Sequence, residues 1–237
     1  MRRSVSTRPT STDRLEALTD GTFAIVITLL VLEIHRPEAE PGDLGAELAR
    51  AWPSYLAYAV AFVYVGVIWL NHHYVFSEVA YTDRTLHWIN LGIIGTAALI
   101  PFPTGVVADA FATSNTDDQR SAVLLYALIA FLMSAAWVPL FVYLGRNPWM
   151  LDERLPPRRF AIEIVRPAAG AASYVLAAVL GWFVAPAIAV LLFVLVVAYY
   201  AVTSAGIPSA GQAIATTCLP TPRRSLVSTR RDPGRSL

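Results

Sequence analysis

Six apolar runs, each long enough to cross a membrane as a helix, follow one another along the chain, the last two separated only by Ala185 and Pro186. They lie near residues 14–34, 54–76, 86–107, 121–144, 167–184 and 187–204. A helix crosses the hydrocarbon core of a bilayer with about 20 apolar residues. The chain of 237 residues is 56% apolar and 15% charged, with a mean hydropathy of +0.53, which is too greasy for a soluble domain. The predicted fold is an all-α integral membrane protein with six transmembrane helices.

Charge orients these helices. All 18 basic side chains are Arg, a bias expected of a GC-rich bacterial genome. Fifteen fall in the N-terminal arm, the segments after the second and fourth runs and the C-terminal tail; three fall in the other loops. Cytoplasmic loops retain positive charge, so both termini are predicted to be cytoplasmic, with the protein multi-pass in the bacterial inner (cell) membrane. The opposite side carries Glu38, Glu40, Asp43, Glu47, Asp109, Asp117 and Asp118, which read equally as a cation-concentrating mouth or a solvated loop surface. Residues 1–12 and 207–237 are polar, basic and Pro-containing, and are expected to be a disordered arm and tail flanking a membrane domain at 13–206. No apolar run precedes the first helix, so no cleaved signal peptide is expected and that helix directs insertion. Cys218 is the only cysteine and no zinc spacing is present.

The first run is unusual. Asp13 and Glu16 read as an N-cap and its returning acid, yet only Gly21 to Leu32 lack charge, so Asp20 and Glu33 need shelter from lipid. Ile25, Leu29 and Leu32 share one helical face, with Thr28 as the hydroxyl beside them. Spacing alone allows core packing or a pore lining. The alternating topology brings the inner ends of the first and second helices and the start of the third to one depth. Asp20, His72 or His73, and Asn90 therefore become candidate neighbours. A carboxylate there needs a donor, which an imidazole and an amide provide. Their roles could be a helix-locking network, a proton relay or a metal site; adjacent histidines point about 100° apart on a helix, which disfavours the metal.

Arg14, Leu18, Thr19 and Asp20 resemble the RxxxFSD signature that opens the transmembrane protein 175 family of potassium channels, with Leu18 for Phe and Thr19 for Ser. AIVITLLVLEI resembles the rest of that family's first helix. WLNHHYVF, from Trp69 through Asn71, His72 and His73 to Phe76, is similar to its second, and the helix from Asn90 to Pro101–Thr104 to its third. The resemblance implies a homotetrameric, potassium-selective channel whose pore is lined by the first helix of each subunit. Ile25, Leu29 and Leu32 are then apolar constrictions and Thr28 a polar ring. Potassium is the permeant ion, and no cofactor, metal or nucleic acid is implied. It also implies that the cluster at Asp20 locks the pore helix to its neighbours. With no TVGYG-like loop, selectivity has to come from side chains. The rivals are an ion-coupled secondary transporter or proton-conducting protein using Asp20 and the His72/His73 pair, and a membrane enzyme using His72 and Asp20. The transporter lacks an internal repeat, and the enzyme lacks a second catalytic group.

Overall fold

The computed structural model describes residues 12–113, 115–151 and 163–204. The predicted arm up to residue 11, the arginine-rich stretch 152–162 and the tail at 207–237 lie outside the described residues. Secondary structure among the described residues is helical, apart from one isolated bridge between Val79 and Leu151.

Helix α1 runs Asp13–Leu29 and tightens into a 3-10 turn at Leu30–Glu33. Its N-cap is Thr12 rather than Asp13, and no side chain closes that end. Leu15, Thr19, Phe23, Val26 and Leu30 form its buried stripe, spaced three or four residues apart as one face of a helix requires. That face packs on α3 (Trp52–Phe76) and α4 (Arg84–Ala97). Between α1 and α3 the acidic loop contains α2 (Leu44–Arg50), the short helical turn expected there.

The third apolar run breaks in two. After α4, residues 98–100 turn tightly and α5 (Pro101–Ala112) begins with proline at its first position, where no N–H is needed. The Ile100 carbonyl accepts both from the amide of Thr104 and, at 2.8 Å, from its buried hydroxyl, while the Ala97 carbonyl, which Pro101 cannot serve, accepts from the Ile100 amide at 3.1 Å. Gly105 follows for a steric reason: a Cβ there would collide with the carboxylate of Glu33, which is half-buried against this glycine.

Helix α6 (Thr116–Arg146) is capped by Asn115, whose side chain accepts from the amides of Asp117 and Asp118. It is the backbone of the second half, where α7 (Val165–Phe183) and α8 (Pro186–Thr203) form a hairpin against it. Close approach there depends on glycine. A Cβ at Gly181 would lie 2.8 Å from the Cβ of Ala189, and one at Gly170 would lie 2.9 Å from the Tyr200 hydroxyl.

Contacts between helix ends establish that the helices alternate in direction. Tyr143 near the end of α6 donates to Asp83 at the start of α4 at 2.5 Å, and Arg166 at the start of α7 donates to the Thr203 carbonyl at the end of α8. At the other end His35 pairs with Asp109 at 3.3 Å. Exposed tryptophans sit at both levels: Trp88 and Trp149 at the first, Trp52 and Trp182 at the second, as expected for side chains in two membrane interfaces. Among the described residues, five helical stretches are long and apolar enough to cross a membrane: 13–33, 52–76, 84–112, 116–146 and 186–203. Helix α7 has 19 residues, of which nine are alanine, glycine or serine.

Candidate ion pathway

The two faces of α1 have opposite chemistry. On the inward face Thr19, His72 and Asn90 are each buried to within 1% exposure, and they connect α1, α3 and α4. Asn90 Nδ2 donates to Thr19 Oγ1 at 2.8 Å, and Thr19 passes its own proton to the Leu15 carbonyl at 2.9 Å. Asn90 Oδ1 can only accept, so the His72 Nε2 that approaches it at 2.7 Å carries the proton. Every donor in this series has one acceptor, and the series ends on backbone. The imidazole stacks on Phe76 with ring centres 4.1 Å apart and planes 11° apart, beside Phe23 and Trp137.

The sequence placed Asp20 in this cluster; the structure puts Thr19 there instead. Asp20, one residue and about 100° further round the helix, is exposed in the single chain and accepts from Trp69 Nε1 at 2.9 Å. His73 is also exposed and stacks on Trp69 with ring centres 6.0 Å apart. Asn71 donates to the Val67 carbonyl of its own helix. Arg14 and Leu18 lie on the exposed side of α1. The lock thus has two strands, Thr19–Asn90–His72 inside and Asp20–Trp69 at the surface. Both join α1 to α3, and the inner one also reaches α4. Among the described residues no three of His, Cys, Asp and Glu converge as a metal-ligand group.

The outward face carries the candidate pathway. Ile25 is 60% exposed, Leu29 41% and Leu32 70%, and Thr28 lies exposed among them. None of the four packs into the core of its own chain. Thr28 Oγ1 donates to the Ile25 carbonyl at 2.8 Å, so its proton is occupied while its oxygen keeps the capacity to accept. Thr22, half-exposed near the edge of the same face, does the same toward Leu18 at 2.9 Å. This second hydroxyl escaped the sequence reading, although a spacing of three residues from Ile25 and seven from Leu29 is the signal that would have found it.

These features define an all-α membrane protein whose first helix is pinned along one face and left uncovered along the other. The chain belongs to the TMEM175 family of channels. Residues 14–101 match the family described as "Endosomal/lysosomal potassium channel TMEM175". A potassium channel of Streptomyces collinus is 38% identical over 174 residues, covering 73% of this chain and 84% of the relative. The human endosomal/lysosomal proton channel TMEM175 is 33% identical over 53% of this chain, but that match spans only 26% of the human protein. The crystal structure of a lysosomal potassium-selective channel TMEM175 homolog from Chamaesiphon minutus superposes with a TM-score of 0.71 at 30% identity, covering 82% of this chain and 98% of that one.

Proposed function

We propose that this chain is a potassium-preferring cation channel, assembled as a homotetramer in the bacterial inner membrane with α1 of each subunit lining the pore. The division of α1 carries the proposal: one face is held by buried hydrogen bonds, while the other offers aliphatic side chains and hydroxyls whose protons are already used. In a fourfold arrangement Ile25, Leu29 and Leu32 form apolar rings, which pass ions only while wide enough to stay wet. Thr28 offers one oxygen per subunit to replace part of an ion's water shell. That exchange favours potassium, whose shell is held less tightly than that of sodium. The chain has six spans in this reading, with α7 as the fifth in chain order because it pairs with α8 and carries the exposed Trp182 next to its last residue. The arginine partition puts both termini in the cytoplasm.

The relative from Streptomyces, named a potassium channel, is matched over most of its length; the animal relatives named proton channels are matched over about a quarter of theirs. Proton conduction or ion-coupled transport through Asp20 and His72 is the second reading. Against it, the His72 proton is committed to the carbonyl oxygen of an amide whose own N–H protons are far too weakly acidic to be relayed, and Asp20 is bonded to Trp69. Reversal potentials in planar bilayers, under bi-ionic potassium and sodium and then under a pH gradient, decide between them. Thr28→Val reduces potassium preference or abolishes current, and Ile25→Asn raises current while eroding selectivity. If both variants retain the wild-type reversal potential and conductance, α1 does not line the path.

A further inference from the structure

Where α3 meets the second half of the molecule, a half-open groove runs between α3, α6, α7 and α8. Its mouth lies at the membrane level of Trp88 and Trp149: Tyr74 and Glu78 line it at the end of α3, and Glu163 and Arg166 line it at the start of α7. From there the groove follows α3 inward as far as Tyr64. The rise of the helix between Tyr64 and Phe76 is about 18 Å. That is more than half of a hydrocarbon core of about 30 Å, so the groove spans one leaflet.

The two ends of this groove have different chemistry. In its depth the Tyr64 hydroxyl pairs with those of Tyr174 and Ser134, and with these polar atoms matched the walls at Ile68, Met133 and Trp137 offer an apolar surface. Hydrocarbon suits such a surface better than water does. At the mouth the Arg166 guanidinium is held in place by Nη2, which donates to the carbonyl and the hydroxyl of Thr203. Nη2 carries two of its five N–H groups. Glu78 and Glu163 add two carboxylates, so the mouth presents one cation and two anions side by side. A second hollow beside α3, at the opposite membrane level, is lined by Trp52, Leu56, Phe111 and Phe193 among others and has no charged side chain. Charge is therefore particular to the first groove.

We propose that the groove is a binding site for one phospholipid of that leaflet whose head group carries a primary ammonium beside its phosphate, of the phosphatidylethanolamine class. The ammonium has three N–H donors for Glu78 and Glu163, the phosphate pairs with Arg166, and an acyl chain lies against the apolar walls toward Tyr64. Charge complementarity selects this head group: a zwitterion with an N–H-bearing cation matches a mouth of mixed sign. An anionic head group leaves the two carboxylates opposed by like charge. The occupied groove joins α3, the helix to which α1 is locked through Trp69 and His72, to the second half of the molecule.

The test uses the purified, delipidated full-length protein in detergent, with melting temperature followed as dioleoyl phosphatidylethanolamine, phosphatidylcholine or phosphatidylglycerol is added. The choline lipid keeps the positive charge without an N–H to donate, and the glycerol lipid keeps the phosphate without a cation. The ethanolamine lipid raises the melting temperature saturably, with a half-maximal concentration about fivefold below those of the other two, the scale of one partly exposed ion pair. Glu78→Gln combined with Glu163→Gln retains the shape of the mouth and abolishes that advantage. Val67→Trp, which places a large ring in the depth of the groove, abolishes the saturable response to all three lipids. Equal half-maximal concentrations in the wild type overturn the proposal, as does a preference for the glycerol lipid, which would leave Arg166 alone as the recognising group. It is equally overturned if the ethanolamine advantage survives the double substitution, or if the saturable response survives Val67→Trp, because the lipid then binds elsewhere. Should Val67→Trp fail to fold, the double substitution decides alone.

Discussion

The two halves of this molecule hold their helices by different means. Helix α1 touches its own chain along one narrow stripe, and polar side chains supply what that small contact area lacks: Thr19, Asn90 and His72 inside, Asp20 and Trp69 at the surface. Helices α6, α7 and α8 meet along broad faces, where Gly170 and Gly181 let backbones approach and Tyr126, Tyr174 and Phe193 fill the remaining space. The contrast teaches how a membrane helix can leave most of its surface uncovered and still be rigidly placed. In hydrocarbon there is little hydrophobic drive to associate, so either close packing or hydrogen bonding has to orient the helices. A helix that reserves one face for a pathway has less packing available and relies more on hydrogen bonds.

The largest effect is expected from cutting the inner lock. Asn90→Leu orphans the His72 Nε2–H and removes the donor to Thr19, at a cost of about 2 to 4 kcal/mol. Thermal unfolding in detergent measures it. A cost below that of the packing variant described next would break the comparison, because the α1 side would then not depend on its hydrogen bonds.

Gly181→Val tests the other half by driving a branched side chain into Ala189 and Val123. Overpacking of this kind costs about 1 to 3 kcal/mol. The same unfolding assay reports the loss, while the fluorescence of Trp69, which senses the α1 contact, is expected to stay unchanged in the folded protein. A shifted Trp69 signal would show that the two halves are not held independently.

The smallest effect belongs to the outer strand of the lock. Asp20→Ala removes a single hydrogen bond on an exposed side chain, worth about 1 kcal/mol, and Asp20→Asn retains an acceptor for Trp69 and costs less. The two are compared by melting temperature with Asn90→Leu alongside. If Asp20→Ala proved as costly as Asn90→Leu, the surface strand rather than the buried one would dominate.

Much of this site was legible before any fold was known, and the misses share one cause. Depth in the membrane follows from counting residues, which brings His72 or His73 and Asn90 to the level of the signature at Thr19 and Asp20. Rotation about the helix axis does not follow from counting. Thr19 and Asp20 differ by one residue and about 100°, and that angle decides which of them meets Asn90. The hydroxyl of Thr22 lies at the edge of the face that Ile25, Leu29 and Leu32 define, where those three positions alone do not reveal it. The capping role of Asn115 lies inside an acidic loop, where charge says nothing about which side chain accepts from the first helical amides.

The sequence by itself determined that the chain is helical and membrane-embedded, where its apolar runs begin and end, and where prolines divide the third. These follow because hydrocarbon thickness sets helix length and a proline lacks the N–H that an unbroken helix needs. It also determined the segregation of arginine from acid along the chain. Only the tertiary structure decided which face of α1 turns inward. Phe23, Val26 and Leu30 are no more apolar than Ile25, Leu29 and Leu32, so composition cannot choose between the two stripes. The choice is made by Asn90 and His72, polar groups on other helices that find their partner in Thr19 only when α1 is turned this way.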